Sequence, residues 1–558
     1  MRSPHLTDWA TAAVLLAVPI ALIASLPAAG TPGWDESGHV FAALRMTAAL
    51  REHGVRAFGE ELVRSDYYTP LGRACYVPAL ALLGSAWWVP RLVGVLAWAA
   101  TVFLATRLAR RLVPAEAAPH AALWTAAFGA TCTLGANHAR TAFLEPISAF
   151  ACAGLAWSFV RCTERPTARR AALVGALAAF GVLVKPTYGL LGIAACAVAC
   201  VVPYAYRRVR ARADAGGADL PRGRALAAGV AVFALPFLWW FVVPWPGGAA
   251  LAAEHRALFV DYLTKAASLE GLPRSDLLLV FGLQAAWSLP AAALQGLGVL
   301  LVVRRLESRA WTLVAAIAVG GLLAFLVYPY RIERFLVPGL FALWCTGGAL
   351  CAAGALRIGA RARPYVVLAT AHLVGGTTGI GSEALWAAVR GAPVNPTQKE
   401  RIAAALHAWR EPYAHVPAPA CGGAEIQRVL DAAARDLDGA RPFGWIGGTC
   451  TEIPFTLVRW RLFQDRPRTA DLEWSPEPVD HLWSDPGWDE AAFRAWAARF
   501  EQVVVLDPPD PRDRPVRRFE ARFVEWMARA PEFALAAETR VERTGRSDVL
   551  CRVYRRAR

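Results

Sequence analysis

Residues 10–29 read ATAAVLLAVPIALIASLPAA, a run without a single charged side chain. A hydrocarbon core about 30 Å thick is crossed by about 20 residues of α-helix, so this run is long enough to span a bilayer. Ala225–Val243, Leu277–Val303, Thr312–Val327 with its flanks and Phe335–Leu356 repeat the pattern. Several such runs in one chain exclude a soluble globule. Composition agrees: the 558 residues are 56% hydrophobic and only 18% charged, where soluble domains carry about 25% charged residues.

The formal net charge of +15 raises the question of a nucleic-acid partner, and its distribution answers it. Residues 384–558 hold 26 Lys+Arg and 25 Asp+Glu, leaving 33 basic and 19 acidic residues in the apolar part. Most of that excess lies in short segments beside apolar runs: Arg107–Arg111, Arg161–Arg170, Arg207–Arg224, Arg304–Arg309 and Arg357–Arg363. Short basic loops flanking apolar spans follow the positive-inside rule. The charge reports topology and gives no sign of nucleic acid. The eleven cysteines show no CxxC pair or Cys/His spacing for a metal; in the tail, Cys421 and Cys450 are a candidate disulfide if that part faces an oxidising compartment.

Placing the basic loops inside fixes the other turns by counting. Helices are expected near residues 8–29, 90–106, 120–136, 143–160, 171–184, 187–204, 225–243, 277–303, 311–327, 335–356 and 364–381, about eleven crossings. Outside lie residues 30–88, Asn137–Ala142, Lys185-Pro186, 244–276 and Tyr328–Arg334. Within 30–88, Glu36–Arg51 carries Val40, Phe41, Leu44 and Ala48 at helical spacing, which predicts a helix lying in the membrane interface. Leu71–Trp88 is apolar but broken by Gly72, Arg73, Pro78 and Gly84, and reads as re-entrant or juxtamembrane. The expected architecture is a polytopic α-helical membrane module over 1–383 followed by a soluble extracytoplasmic α/β domain over 384–558. In that tail, helices are expected at 397–409, 425–434, 490–500 and 517–529, strands at 443–447 and 502–507, and a closing hairpin at 539–554.

On this topology the unusual polar groups collect on the outer face. Asp35 and Glu36 follow the first helix; Asn137, His138, Arg140 and Glu145 flank the second outer turn; Lys185 occupies the third; Tyr328, Tyr330, Arg331, Glu333 and Arg334 occupy the fifth. Ionisable groups at a membrane boundary commonly face a protein or water cavity and mark function. An acceptor hydroxyl needs a carboxylate base within hydrogen-bond reach. A departing phosphate needs cations or a metal to absorb its charge. Each residue also has a structural reading: a solvated cap for Asp35-Glu36, an ion pair for Arg140 with Glu145, a snorkelling turn lysine for Lys185, interfacial anchors for Arg331 and Arg334.

The order of these segments carries a resemblance. Trp34-Asp35-Glu36-Ser37-Gly38-His39, Tyr68-Thr69-Pro70-Leu71, Ala139-Arg140-Thr141-Ala142-Phe143-Leu144-Glu145-Pro146, Val184-Lys185-Pro186-Thr187-Tyr188-Gly189 and Tyr330-Arg331-Ile332-Glu333-Arg334-Phe335-Leu336-Val337-Pro338 follow one another on one face. Across residues 8–340 the chain resembles the membrane glycosyltransferases of the GT-C fold, in particular the family 39 type, which includes protein O-mannosyltransferases and the lipid A aminoarabinose transferase. The resemblance implies transfer of a sugar from a polyprenyl-phosphate carrier to an acceptor hydroxyl of a lipid, glycan or protein, with inversion at the anomeric carbon, outside the cytoplasmic membrane. It implies Asp35, with Glu36 beside it, as the first-loop carboxylate that acts as general base or its metal-linked equivalent, and Glu145 as the second acidic position, where relatives more often have Asp. Arg140, Lys185, Arg331 and Arg334 would hold the carrier phosphate, and His39, Tyr68, His138 and Tyr330 would touch substrate. Tyr68-Thr69-Pro70-Leu71 stands where relatives often have His-Pro-Pro-Leu, so the imidazole is missing. A divalent metal is the one cofactor this reading leaves room for, and its ligands are not identified.

Two other classes compete. A transporter or flippase of a lipid-linked or anionic substrate predicts charges buried mid-span and broken helices in matched halves; a scaffold predicts that Asp35 and Glu145 are replaceable without loss of function.

Overall fold

The computed structural model describes residues 6–26, 34–63, 69–86, 88–210, 223–241, 289–327, 333–358, 428, 431–433, 435–437, 441, 443–446, 474–475, 490–507, 524–541 and 549–557. The expected last span at 364–381, the outer loop 244–276, the helix at 397–409 and the Cys421–Cys450 pair lie outside them.

Helices α1 (Leu6–Ser25), α5 (Trp88–Leu112), α6 (Ala118–Thr131), α8 (Glu145–Glu164), α9 (Ala168–Val184), α10 (Pro186–Arg210) and α11 (Gly223–Phe241) fall at the first seven expected crossings. They are followed by α12 (Leu289–Leu300), α13 (Arg309–Val327) and α14 (Leu340–Ile358). Five helices among the described residues are long and apolar enough to cross a membrane: Thr7–Ala24, Trp88–Leu112, Pro186–Val209, Gly223–Trp240 and Phe335–Gly354. The chain is a multi-pass membrane protein.

Helix contacts follow the rules of lipid rather than of water. Large apolar side chains such as Leu16, Ile20, Leu96, Phe103, Leu173, Val201, Leu235 and Leu323 are exposed on the outside of the bundle, where acyl chains replace water. Between helices the contacts are made by small residues. A Cβ on Gly175 of α9 would lie 2.1 Å from the Gly229 carbonyl oxygen of α11, and one on Gly298 of α12 would lie 2.4 Å from that of Thr346 in α14. Such backbone approach is how transmembrane helices gain packing without a hydrophobic drive. Trp98 and Trp344 meet edge-to-face in the centre, ring centroids 4.9 Å apart.

The elements between crossings differ from expectation in instructive ways. The helix expected at 36–51 is α2, which runs Trp34–Val63 and bends at Gly54, whose φ of 81° lies where only glycine sits without strain. Arg45 and Glu61 form an ion pair across that bend. The broken apolar stretch becomes two short helices, α3 (Pro70–Ala74) and α4 (Val77–Leu83), and Arg51 donates to the Leu80 and Ala81 carbonyls at the end of α4. The turn expected at Asn137–Ala142 moves to Arg140–Leu144. A short helix α7 (Thr133–Ala139) persists because Thr141 closes it, donating both its backbone N–H and its hydroxyl to the His138 carbonyl. The span expected from Phe335 starts as a 3-10 helix, Glu333–Gly339, because Pro338 has no N–H and disfavours α geometry in the residue before it. Among the described residues, the span expected at 277–303 is helical from Leu289 and tightens into a 3-10 turn at Leu301–Arg304.

The tail contains a five-stranded mixed sheet in the order β2-β1-β3-β5-β4. Here β1 is Phe443–Ile446, β2 Trp474–Ser475, β3 Gln502–Asp507, β4 Phe533–Val541 and β5 Val549–Arg556. β1 runs parallel to β2 and β3, whereas β5 pairs antiparallel with β3 and β4. Val503 and Val505 face Trp496 and Phe500 on and after helix α15 (Glu490–Ala497); Val504 and Leu506 face the other way, toward Ala432, Ala433 and Leu437. Burial of both faces explains the unbroken Val-Val-Val-Leu run of β3. The second of these apolar clusters also takes in Val40, Phe41 and Leu44 of α2 and Tyr76, Val77 and Leu80.

Candidate functional site

Five separated turns meet at one end of the bundle, and backbone chemistry dictates how. Lys185 ends α9 and precedes Pro186, which opens α10; the proline forces Lys185 into extended geometry, φ −156° and ψ 106°. The chain reverses there, and Gly189 lets α10 return against α9, since a Cβ on it would lie 2.3 Å from the Val182 nitrogen. Glu145 begins α8, with Pro146 in its first turn, so its carboxylate stands at the positive end of the helix dipole. The two side chains meet: Lys185 Nζ donates to Glu145 Oε1 at 2.8 Å, with Glu145 at 2% exposure and Lys185 at 17%. The ammonium also lies 5.3 Å from the centroid of the Tyr188 ring and 5.0 Å from that of Phe335. Tyr188 Oη donates to the Phe335 carbonyl at 3.3 Å and so fastens the 3-10 helix beside Lys185.

A second cluster adjoins it. Arg91, in the first turn of α5, grips Glu36 in two-pronged fashion, Nε to Oε1 at 2.6 Å and Nη2 to Oε2 at 3.1 Å, with both side chains buried. Glu36 Oε1 also accepts the Ala142 N–H at 2.8 Å. Gly94, one turn further along α5, allows the 139–141 backbone to lie flat on the helix: a Cβ there would be 2.6 Å from the Ala139 carbonyl oxygen and 2.7 Å from that of Thr141. These contacts hold the start of α2, the start of α5 and the turn before α8 as one unit.

The short helix α3 joins the two clusters. Gly72 faces Leu144 and the Val184 carbonyl, where a Cβ would meet atoms at 2.9 and 3.0 Å. Tyr76 Oη donates to the Phe143 carbonyl at 2.9 Å. Burial pushes the Tyr76 hydroxyl well above its ordinary pKa, and the nearby Glu145 and Glu36 carboxylates add to the rise. Arg73 and Thr69 are buried beside it.

The structure therefore brings Glu36, Glu145 and Lys185 to one end of the bundle. His39 is buried in α2 one turn beyond position 35, and His138 is buried 5.9 Å from the Phe143 ring. Arg140 is half-buried in the turn that follows. Tyr68, Tyr330 and Arg331 lie outside the described residues, as do the side chains of Asp35, Asn137 and Arg334; the backbones of Asp35 and Arg334 sit in α2 and the 3-10 helix. Glu145 pairs with Lys185 across a forty-residue separation, a contact the sequence did not point to. Arg91 went unnoticed, hidden in a stretch otherwise read as apolar, and Arg73 was read only as a break in one. Among the described residues no group of three His, Cys, Asp or Glu side chains could hold a metal ion. The two described carboxylates are each held by a cation, a poor fit to metal ligation.

Comparison with known proteins agrees with this architecture. The family model for dolichyl-phosphate-mannose-protein mannosyltransferase matches residues 70–240. No curated protein matches the chain by sequence. Among solved structures, ArnT from Cupriavidus metallidurans bound to undecaprenyl phosphate superposes over 98% of this chain and 98% of its own, with TM-score 0.54 and 14% identity. The same protein in the apo state gives TM-score 0.55 and 15% identity over 97% of both chains. The Archaeoglobus fulgidus oligosaccharyltransferase, in complex with Zn and sulfate, gives TM-score 0.51 and 12% identity over 88% of this chain and 67% of its own. The fold expected from the ordered motifs, GT-C, is the fold these likenesses show.

Proposed function

We propose that the chain is a glycosyltransferase that moves a sugar from a polyprenyl-phosphate carrier to an acceptor hydroxyl, at the outer face of the cytoplasmic membrane. The observation that carries the reading is Lys185, a half-buried ammonium set between two aromatic rings at the junction of α8, α9, α10 and the 3-10 helix, in a fold also found in a protein bound to undecaprenyl phosphate.

In the proposed reaction the bond between the anomeric carbon and the phosphate oxygen breaks while the acceptor oxygen bonds to that carbon from the opposite side. The acceptor proton passes to a carboxylate, assigned to Asp35, and the leaving group is the polyprenyl phosphate. An ammonium carries three donors. Glu145 takes one and aims the group, so the role assigned to Glu145 is to position Lys185 rather than to take a proton. Held in a dry, aromatic setting, that cation is worth more to a developing phosphate charge than it would be in water. Glu36 is likewise a positioning residue, because Arg91 and the Ala142 N–H occupy its carboxylate. Arg140, Arg331 and Arg334 are assigned to the carrier phosphate and His39, Tyr68, His138 and Tyr330 to substrate contact. No step runs through a metal.

In this reading residues 384–558 form an extracytoplasmic domain over the site, supported by the apolar cluster that links α2 to the C-terminal sheet. The donor is a membrane lipid, and the acceptor is a lipid, glycan or protein. The assay is transfer of radiolabel from polyprenyl-phosphate sugar by membranes containing the protein. Asp35→Asn should lower transfer by about 10²- to 10⁴-fold, the usual worth of a general base. Full activity in that variant removes Asp35 from the reaction, and no transfer from any polyprenyl-phosphate sugar by the unaltered protein removes the function.

A further inference from the structure

The opposite end of the bundle carries a second concentration of charge that the proposed reaction does not use. α5 runs from Arg91, at the candidate site, to Arg107 and Arg111; α8 runs from Glu145 to Arg161 and Glu164. Sixteen residues of helix separate Arg91 from Arg107, and Glu145 from Arg161, which is about 24 Å along each axis. The arginines thus stand in the other leaflet.

They converge on one ring. The guanidinium carbons of Arg107, Arg111 and Arg161 lie 5.7, 5.8 and 5.6 Å from the centroid of Trp157. Among the described residues the one acidic group in the cluster is Glu164, which takes Arg111 at 3.1 Å and Arg161 at 3.7 Å. Neighbouring Arg110 is matched by Asp8 at 2.6 Å, and Arg170 donates to the carbonyls of Arg161 and Arg165. Three cations around one tryptophan with one carboxylate leave two positive charges in excess. Charges that served topology alone would spread apart in water, as like charges repel; these are held together.

The surface leading to them is apolar. Leu96, Phe103 and Arg107 follow at i, i+7 and i+11 on one face of α5, with Leu96 and Phe103 about half exposed and Arg107 6.0 Å above the Phe103 ring. A lipid-facing stripe therefore ends directly beneath the guanidinium cluster. We propose that Arg107, Arg111 and Arg161, arranged around Trp157, bind the headgroup phosphate of an anionic phospholipid in the leaflet opposite the candidate site, with an acyl chain along Leu96 and Phe103. Guanidinium forks suit phosphate oxygens, and basic pockets between membrane helices are known to take such headgroups. The proposal does not depend on the glycosyltransferase reading.

The test uses the full chain in detergent with short-chain phosphatidylglycerol, phosphatidylethanolamine or inorganic phosphate added separately. The readouts are native mass spectrometry of retained lipid and the melting temperature. Phosphatidylglycerol should be retained and raise the melting temperature, and the other two should not. The combined variant Arg107→Gln, Arg111→Gln, Arg161→Gln should weaken retention by about a hundredfold, at about fivefold per charge, with sugar transfer unchanged. Equal retention of phosphatidylethanolamine, stabilisation by inorganic phosphate alone, or equal phosphatidylglycerol binding by the variant would each overturn the proposal. Should the glutamine variant not fold, the matching lysine variant keeps every charge but loses the planar forks; unchanged phosphatidylglycerol retention there overturns the assigned geometry.

Discussion

Replacing Arg91 by leucine would strand the Glu36 carboxylate in a buried position. Arg91 and Glu36 side chains are 1% and 3% exposed and share two hydrogen bonds. Removing one partner of such a pair typically costs about 3–5 kcal/mol, because the remaining charge is neither solvated nor matched. Adding Glu36→Gln removes that charge, while the amide oxygen can still accept the Ala142 N–H. The second substitution should therefore recover about 2 kcal/mol of the loss, within the range of coupling seen for contacting residues. The assay is the temperature at which half of a fluorescently tagged, detergent-solubilised protein leaves the monodisperse peak after heating. The expected order is unaltered protein, then the double variant, with Arg91→Leu alone the least stable. A double variant no better than Arg91→Leu would refute the buried-charge reasoning, since two independent defects would then simply add.

Other outcomes follow from the same geometry. Lys185→Met should reduce sugar transfer by about 10²- to 10³-fold, as expected for a charge aimed at a leaving group, and Lys185→Arg should restore part of it; transfer assays on matched amounts of folded protein check this. Glu145→Gln should act mainly through Lys185, so that the Glu145→Gln, Lys185→Met double variant is no worse than Lys185→Met alone; an additive loss would give Glu145 a separate role. Gly94→Val places atoms against the Ala139 and Thr141 carbonyls and should lower stability by about 1–3 kcal/mol or more, read by the same heating assay. The Cys551 thiol, buried in β5, is pushed up to about 12 by desolvation with Asp436 adding to the rise. Almost none of it is thiolate at pH 8, so iodoacetamide should leave Cys551 unmodified in the folded chain and alkylate it after denaturation, as peptide mapping would show.

Long spans were legible because run length is a one-dimensional property: Ala10–Ala29 and Ala225–Val243 declare themselves by the charge they lack. Turn chemistry was legible where proline enforced it, as at Lys185-Pro186 and Glu145-Pro146. Pairing was not. The carboxylate of Glu145 could be guessed to want a cation, but nothing local pointed to Lys185; that pairing is made by how α9 returns beside α8. Arg91 escaped notice because one arginine in the first turn of an apolar helix looks like a snorkelling end group. Only the arrival of Glu36 and Ala142 from distant segments makes it a buried clamp. The boundaries at 137–144 and 333–340 shifted for local reasons, a threonine cap and a proline, that periodicity does not register.

The Glu36 carboxylate also bears on how the chain is made. Its partners lie 55 and 106 positions downstream, so they leave the ribosome well after it does. Until α5 and the turn before α8 have been made, the acid lacks the partners that hold it in its buried position. Burial of this one carboxylate thus acts as a checkpoint on assembly order: the segment docks only when α5 and α6 are both in place. A chain in which one crossing inverted would keep that carboxylate wet and the segment open to proteases.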